Sequence, residues 1–387
     1  MRHVMRFGCT ACLLAFAWAQ AAGPDVIVGD LEAPVEYARN ATVAGVAFGT
    51  ISCNTGDAKL EWRALPDSRH PVIAMNMYRL RDDRMEQIGR SWVKHGYFAL
   101  QGDVCGFGCQ APLTGAGNAL YPGCSDPYGA TLNHNRDVLG PRNRIDPTDG
   151  RFDPASALAL PDPEHNNPLS RGMHIRHSDL GNPNARYFIE GHYIAADDAA
   201  AGNDTNNVSY REVKVSNSGT EWVFDFIGTP TQRRQTAISV WPGATLVPIQ
   251  DDQGDGKIVV GYKVTDLGGG RFRYNYVIYN MNSRRAIGTL QIPIGNANVS
   301  DIGFHAPPQN DDRWTSDPWA GSTADGQVMW GTQNFAANPN ANAVRWGTAY
   351  TFWFVADRPP QQASATLQKF APGNGPSSIS VAVSVPR

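Results

Sequence analysis

Beyond residue 217 the chain runs in short segments of alternating or aromatic-rich residues, each closed by turn formers, a pattern that leaves room for little except antiparallel β-structure. TEWVFDFIG, TAISVWPGA, GKIVVGYKVTDLG, GRFRYNYVIYNMN, RRAIGTLQIPIG, SDIGFHAP, QVMWGTQN, RWGTAYTFWFVAD, SATLQKFAPG and SISVAVSVPR follow one another, with Gly268 to Gly270 and Asn280 to Asn282 as typical turns. Alternation of period two places successive side chains on opposite faces. Strands at this regular spacing predict an immunoglobulin-like β-sandwich over residues 217–387, with aromatic side chains filling the gap between its sheets. No repeat of fixed period, coiled-coil heptad or low-complexity tract interrupts it.

The first part of the chain sets compartment and domain count. MRHVMRFG is basic, Cys12 to Trp18 is apolar, and small residues follow at Ala19, Ala21 and Ala22. That order is the pattern of a secretory leader, expected to span residues 1–22 and to be cleaved after Ala21 or Ala22, carrying Cys9 and Cys12 away. No later segment approaches the ~20 consecutive apolar residues of a membrane-spanning helix. Cys53, Cys105, Cys109 and Cys124 then remain, and in an oxidising compartment they predict two disulfides whose connectivity is open among three pairings. The protein is thus expected to be secreted or periplasmic.

A net charge of −3 from 33 basic and 36 acidic residues gives no field suited to nucleic acid or an anionic membrane. About 365 residues after the leader exceed what one core usually serves, so a second, N-terminal β domain is expected over residues 23–216. The whole is predicted to be all-β: two β-sandwich-like domains, the C-terminal one immunoglobulin-like, and a long disulfide-pinned irregular loop at 101–168 in the N-terminal one.

Within the N-terminal domain, HPVIAMNMYRL, the turn RDDR and MEQIGRSWVKHGYFAL read as a β-hairpin. Ile73, Met75, Met77 and Arg79 share one face; Ala74, Asn76, Tyr78 and Leu80 share the other. In the second strand, Trp92, Lys94 and Phe98 point one way, and Val93, His95, Tyr97 and Ala99 the other. Both faces are largely apolar, as in a strand covered on two sides. Lys94 and His95 are therefore at risk of burial, where an ammonium needs a carboxylate or loses its charge. From Gln101 to about Pro168 strand patterning stops, and so long an irregular stretch is usually functional or cross-linked. Asp197 to Ala201 is expected to form a helical turn.

HPVIAMNMYRL, QIGRSWVKHGYFAL, CSDPYGA and LGPR, together with VTDLGGGRFRYNYVIYNMNS and NANAVRWGTAYTFWF, resemble a group of uncharacterised secreted bacterial proteins found in planctomycetes and proteobacteria. The resemblance covers nearly the whole chain after the leader. It implies an exported bacterial protein and carries no catalytic residue or cofactor with it.

Chemistry has to be sought in the residues. Neutral imidazole is the commonest protein ligand for zinc and copper, and the histidines concentrate between His70 and His192. His70, His95, His134, His177 and His192, with Glu190 or Asp126 as a carboxylate, are candidate ligands for such an ion, although neither His-x-His nor HExxH spacing is present. His174 and His177 would face opposite ways on a strand, whereas Glu190 and His192, two apart, share a face. His165 reads as a surface residue. Lys94 and His95 are candidates for charge stabiliser and general base, with Asp126, Tyr128 and Arg142 on the loop to hold an anionic or sugar-like substrate. Against that, Asp126 and Arg142 also suit the plainer task of tying down a loop without ladders.

Other motifs are weaker. The spacing of Cys105 and Cys109 is neither that of thiol oxidoreductases nor of zinc ribbons. Asp251 to Gly256 starts like a calcium loop but has Tyr262 where a bidentate Glu is needed. No GxSxG elbow, phosphate loop or dinucleotide fingerprint occurs, and the sequons at Asn40, Asn207 and Asn298 are expected to be chance matches if the source is bacterial, as the resemblance implies. Two functions from different classes follow. One is an extracellular enzyme with a histidine-rich site, its metal zinc or copper. The other is a non-catalytic protein binding an extracellular polymer or glycan, with Trp314, Trp319 and Tyr128 as aromatic platforms.

Overall fold

A computed structural model describes residues 21–113, 116–135, 140–153, 167–250, 256–310 and 313–387. The expected leader lies outside them except for its last two residues, as do His165 and Asp251 to Asp255. The chain is all-β, built from two sandwich-like domains.

The N-terminal strands are β1 (Val26–Leu31), β2 (Val35–Arg39), β3 (Val43–Ala47), β4 (Thr50–Asn54), β5 (Leu60–Glu61), β6 (Val72–Arg81) and β7 (Arg84–His95). They continue with β8 (Ala119–Leu120), β9 (Ser125–Tyr128), β10 (Met173–Arg176), β11 (Arg186–Ile194), β12 (Val208–Asn217) and β13 (Trp222–Phe226). A central antiparallel sheet has the order β13-β12-β11-β6-β7. Two three-stranded sheets, β1-β4-β9 and β10-β3-β2, cover one of its faces. Between these layers lies a core that includes Val28, Val46, Ile73, Met75, Met77, Ile88, Ile189 and Tyr193.

The C-terminal strands are β14 (Thr245–Gln250), β15 (Lys257–Gly268), β16 (Arg271–Asn280), β17 (Ile287–Pro293) and β18 (Val299–His305). After them come β19 (Ala320–Ala324), β20 (Gln327–Gly331), β21 (Thr348–Ala356), β22 (Pro360–Lys369) and β23 (Ser378–Pro386). The sheets β14-β15-β16-β21-β18 and β19-β20-β17-β22-β23 close on Tyr274, Tyr276, Trp319, Trp330, Phe352 and Phe354, as the aromatic alternation predicts.

The two-sided apolar character of the hairpin has its explanation here. Ile73, Met75 and Met77 enter the N-terminal core, while Tyr78 and Leu80 join Phe188, Trp241, Val259, Val277 and Tyr279 in a second cluster that welds the central sheet to the C-terminal sandwich. Asp82 and Asp83 take φ of 50° and 63°, the left-handed geometry a tight hairpin turn requires.

Three local expectations need correction. TAISVWPGA is not a strand: Ala237–Val240 is a 3₁₀ turn, because Ala237 N–H caps the buried Glu190 carboxylate and pulls the backbone out of extended geometry. The strand through Lys94 and His95 stops at His95, after which Tyr97 N–H and C=O are both bonded to the Tyr128 hydroxyl in place of a ladder. The stretch after Gln101 is not uniformly irregular, since β8, β9 and the helix Ala130–His134 lie within it. The strand SDPY lacks alternation because β9 only completes a sheet edge beside β4. The cysteines pair as Cys53–Cys105 and Cys109–Cys124, pinning this stretch to β4 and to itself. The helix Ala196–Ala200 matches the turn expected at Asp197.

Candidate functional site

The far end of the β6–β7 hairpin brings together five of the sequence-named candidates. His70 lies two residues before β6 and His95 ends β7; Val72 pairs with His95 across the hairpin. An unbroken ladder back from the Arg81–Arg84 pair would set His70 directly across from His95. Two bulges shift the register, yet the rings remain in contact, with centroids 4.5 Å apart. Trp62 packs on His70 at 4.4 Å, and Phe152 meets His95 edge-on at 5.6 Å.

Each imidazole makes its Nδ1 contact to a backbone carbonyl next in the chain: His70 to Pro71 O at 2.7 Å, His95 to Gly96 O at 2.8 Å. His70 Nδ1 thus lies between an acceptor, Pro71 O, and a donor, Gly96 N–H at 3.3 Å, while His95 Nδ1 faces Gly96 O alone. Neither Nε2 has a hydrogen-bond partner, and both rings are buried. Burial, the neighbouring His95 and the Lys94 charge hold the His70 pKa well below its ordinary value. Burial lowers His95 to about 4, against the opposing pull of the Gly96 and Asp67 carbonyls.

Lys94 is buried, its Nζ 4.5 Å from the centre of the Tyr128 ring and 3.3 Å from His95 O. Tyr128 is held by the Tyr97 backbone at 2.8 Å in both directions. Asp126 Oδ1 accepts from Leu100 N at 2.8 Å, while Oδ2 is buried without a partner. Burial raises the Asp126 pKa to about 6, only partly offset by the Leu100 N–H and by Lys94. Gly96 sits at the centre of this cluster, where a Cβ would collide with Tyr128 Oη and His70 Nε2. Four of the acid–base candidates, Lys94, His95, Asp126 and Tyr128, are thus brought together with His70.

The fifth, Arg142, is not part of this cluster. Fully buried, it donates to Ser91 O (2.7 Å), Gly347 O (2.9 Å), Met75 O (2.9 Å) and Asn76 Oδ1 (3.0 Å), fastening the loop to the hairpin and both to the C-terminal sandwich. Glu190 likewise faces the C-terminal domain, accepting from Asn76, Tyr78, Tyr279, Thr236 and Ala237 N. Its lone pairs are taken, so it is no ligand in this state. His192 does share its face, but lies beside Arg142 and Trp346, with both ring nitrogens buried and unpartnered. His134 stacks on Tyr37 and bonds Pro168 O; His177 bonds Asn40 O and accepts from the Trp222 indole. Among the described residues no group of three or more His, Cys, Asp or Glu could hold a metal ion. Of the six expected metal ligands only His70 and His95 are brought into contact with one another: His134, His177 and Glu190 spend polar atoms on separate structural contacts, and His192 is buried apart beside Arg142 and Trp346.

The aromatic platforms expected for glycan binding are also relocated. Tyr128 and Trp319 are each 3% exposed, and Trp314 lies between the Arg90 and Arg345 guanidinium groups. What the alternation missed is the loop directly after His95. Tyr97, Phe98, Leu100, Val104 and Leu113 are 53%, 60%, 62%, 58% and 104% exposed. The signal available in sequence was an aromatic pair followed at once by the pinned, strand-free stretch.

No family model matches the chain, and no curated protein does. Among solved structures, it is similar to a serine-rich repeat adhesion glycoprotein of Streptococcus agalactiae, at 10% identity over 88% of each chain and a TM-score of 0.21. A likeness of that degree says nothing about function. Among the described residues no helix is long and apolar enough to cross a membrane.

Proposed function

We propose that this is a secreted, non-catalytic interaction protein that binds an extracellular polymer or glycan through the loop from Tyr97 to Leu113. The observation that carries this reading is the concentration of exposed large apolar side chains on that loop. Contiguous exposed apolar surface is disfavoured on a soluble protein unless a partner covers it. The loop is also held in place rather than left to collapse. Phe98 and Gln101 take φ of 54° and 56°, a conformation costly for side-chain-bearing residues and found where surroundings enforce it. The enforcers are the two disulfides, the Tyr128 hydroxyl on Tyr97, and the Gln101 side chain, which bonds Ala119 O and Tyr121 N. Tyr97 and Phe98 offer rigid faces of the kind sugar rings stack on. Disulfides of this kind belong to oxidising compartments, which supports secretion.

A second reading has its own support in the convergence of Lys94, His95, Asp126 and Tyr128 beside this loop, a set able to carry general acid–base chemistry on a bound sugar. One experiment serves both. The protein is incubated with a panel of insoluble and soluble extracellular polysaccharides, and both retention and released reducing ends are measured. Retention without product is expected, with the Tyr97→Ala/Phe98→Ala double variant weakened at least about tenfold at unchanged melting temperature. Wild-type and double variant retained equally would sink the loop assignment. Product release lost in a Lys94→Met variant would move the assignment to an enzyme.

A further inference from the structure

The loop that follows β7 differs from the rest of the chain in charge as well as in exposure. Of the thirty residues from Gly96 to Ser125 a single one, Asp103, carries a charged side chain, whereas 18% of the whole chain does. Asp103 is itself engaged, its Oδ1 accepting from Gly108 N at 3.1 Å. Lys94 and Arg233 reach the loop from outside it, and both are turned onto the protein. Lys94 is buried, with Nζ 4.5 Å from the centre of the Tyr128 ring and 5.9 Å from that of Tyr97. Arg233 donates to Gly29 O and Cys105 O and lies 5.3 Å from the centre of the Phe107 ring. A ligand anion laid on the exposed side chains would lose its water without a cation to meet it, which is costly. An uncharged sugar polymer escapes that penalty, since the C–H faces of its rings pack on aromatic side chains while its hydroxyls stay in water at the rim.

Phe98 is 60% exposed, yet its ring is placed. Ala99 N donates to Gly117 O at 2.9 Å and draws the two segments together, and a Cβ on Gly117 would collide with the edge of the Phe98 ring. Gly102 and Ser125 exchange both backbone hydrogen bonds at 2.7 Å and close the base of the loop. The ring thus rests by one edge on the Gly117 backbone and gives most of its surface to solvent. A platform fixed before binding loses little freedom when a ligand lands on it. We propose that the loop recognises an uncharged polysaccharide, with Phe98, seated on Gly117, as the ring on which a sugar stacks. This rests on the loop reading above and narrows it to one class of polymer. Gly117 is a positioning residue: it touches the ring, and through it sets where the sugar lies.

The test is depletion of the full protein from solution by insoluble cellulose, chitin and mannan, by cross-linked polygalacturonate and by phosphatidylcholine vesicles, each at about 0.01 M and about 1 M sodium chloride. Retention by at least one neutral polysaccharide is expected, changing less than about twofold between the two salts because no ion pair is screened. Phe98→Leu keeps apolar volume and loses the ring, while Gly117→Ala pushes the ring aside; each should weaken retention at least about fivefold at unchanged melting temperature. Loop-dependent retention by polygalacturonate that salt abolishes would overturn the uncharged class and leave the loop as the binding face. Full retention in either Phe98→Leu or Gly117→Ala, with the Tyr97→Ala/Phe98→Ala variant weakened, would overturn the stacking role of Phe98 and again spare the loop. Capture by the vesicles alone, or by none of these materials, would sink both readings.

Discussion

Arg142→Ala is expected to lower the unfolding free energy by about 3–5 kcal/mol, the cost typical of breaking a buried charged network from one side. The guanidinium satisfies three carbonyls from three segments, Ser91, Met75 and Gly347, and an Ala leaves them buried without these donors. It also breaks a relay: Arg142 donates to Asn76 Oδ1, and Asn76 Nδ2 donates to Glu190 Oε1 at 2.9 Å. Glu190 in turn is gripped by Tyr279, Thr236 and Ala237 of the C-terminal part. The buried cation and anion thus hold opposite ends of one amide, at the seam where the central sheet meets the sandwich. Arg142→Lys should recover little of the loss, because an ammonium cannot reach three divergent carbonyls at once. Urea unfolding of Arg142→Ala, Glu190→Gln and the double variant checks this. A coupling energy below about 0.5 kcal/mol would mean that the two charges act independently and the relay is incidental.

This network shows where sequence reading succeeds and where it stops. Period-two alternation in VIAMNMYRL assigned Ile73, Met75 and Met77 to one face and Tyr78 and Leu80 to the other, because face is a local property of an extended chain. What each face meets is not local. The Glu190 and Arg142 partners are up to 205 residues away, so a histidine-rich segment looked like a metal centre when most of its polar groups serve seams and loop ties. Two bulges in β6–β7 illustrate the same limit: alternation gives the hairpin and its faces, but not the register that brings the His70 and His95 rings together. The segment after His95 reads as more strand because YFAL alternates plausibly; side-chain bonds from Tyr128 and Asp126, not local propensity, turn the backbone there.

Acidification gives the second large effect. His70, His95 and His192 are buried and neutral, with pKa values lowered by burial, His95 to about 4 and His192 to about 3. In the unfolded chain each takes a proton near 6.5, so the unfolded state binds more protons below that pH and stability falls as the medium acidifies. Buried carboxylates work in the opposite direction. Burial raises Asp198 to about 8 and Asp126 to about 6, so the folded state takes up their protons first, and lowering the pH toward about 4 adds stability through them. Between pH 8 and 6.5 the titration of Asp198 leads, and stability should rise on acidification by roughly 1–2 kcal/mol. Below 6.5 His70, His95, His174, His192 and His305, all held below their ordinary value chiefly by burial, resist protonation in the fold, against Asp126, Asp197, Asp198 and Asp204, held above theirs by burial; stability should fall where the histidines prevail. A maximum near pH 6.5 in the unfolding free energy, followed by a steep acid limb, is the expected profile. His192→Leu isolates one contributor, because neither ring nitrogen makes a hydrogen bond that the substitution would forfeit. At pH 4 it should stand about 3 kcal/mol above the wild type, with little difference at pH 7. Parallel curves for the two proteins from pH 7 to 4 would show that His192 is protonated in the fold and that its burial does not govern the acid limb.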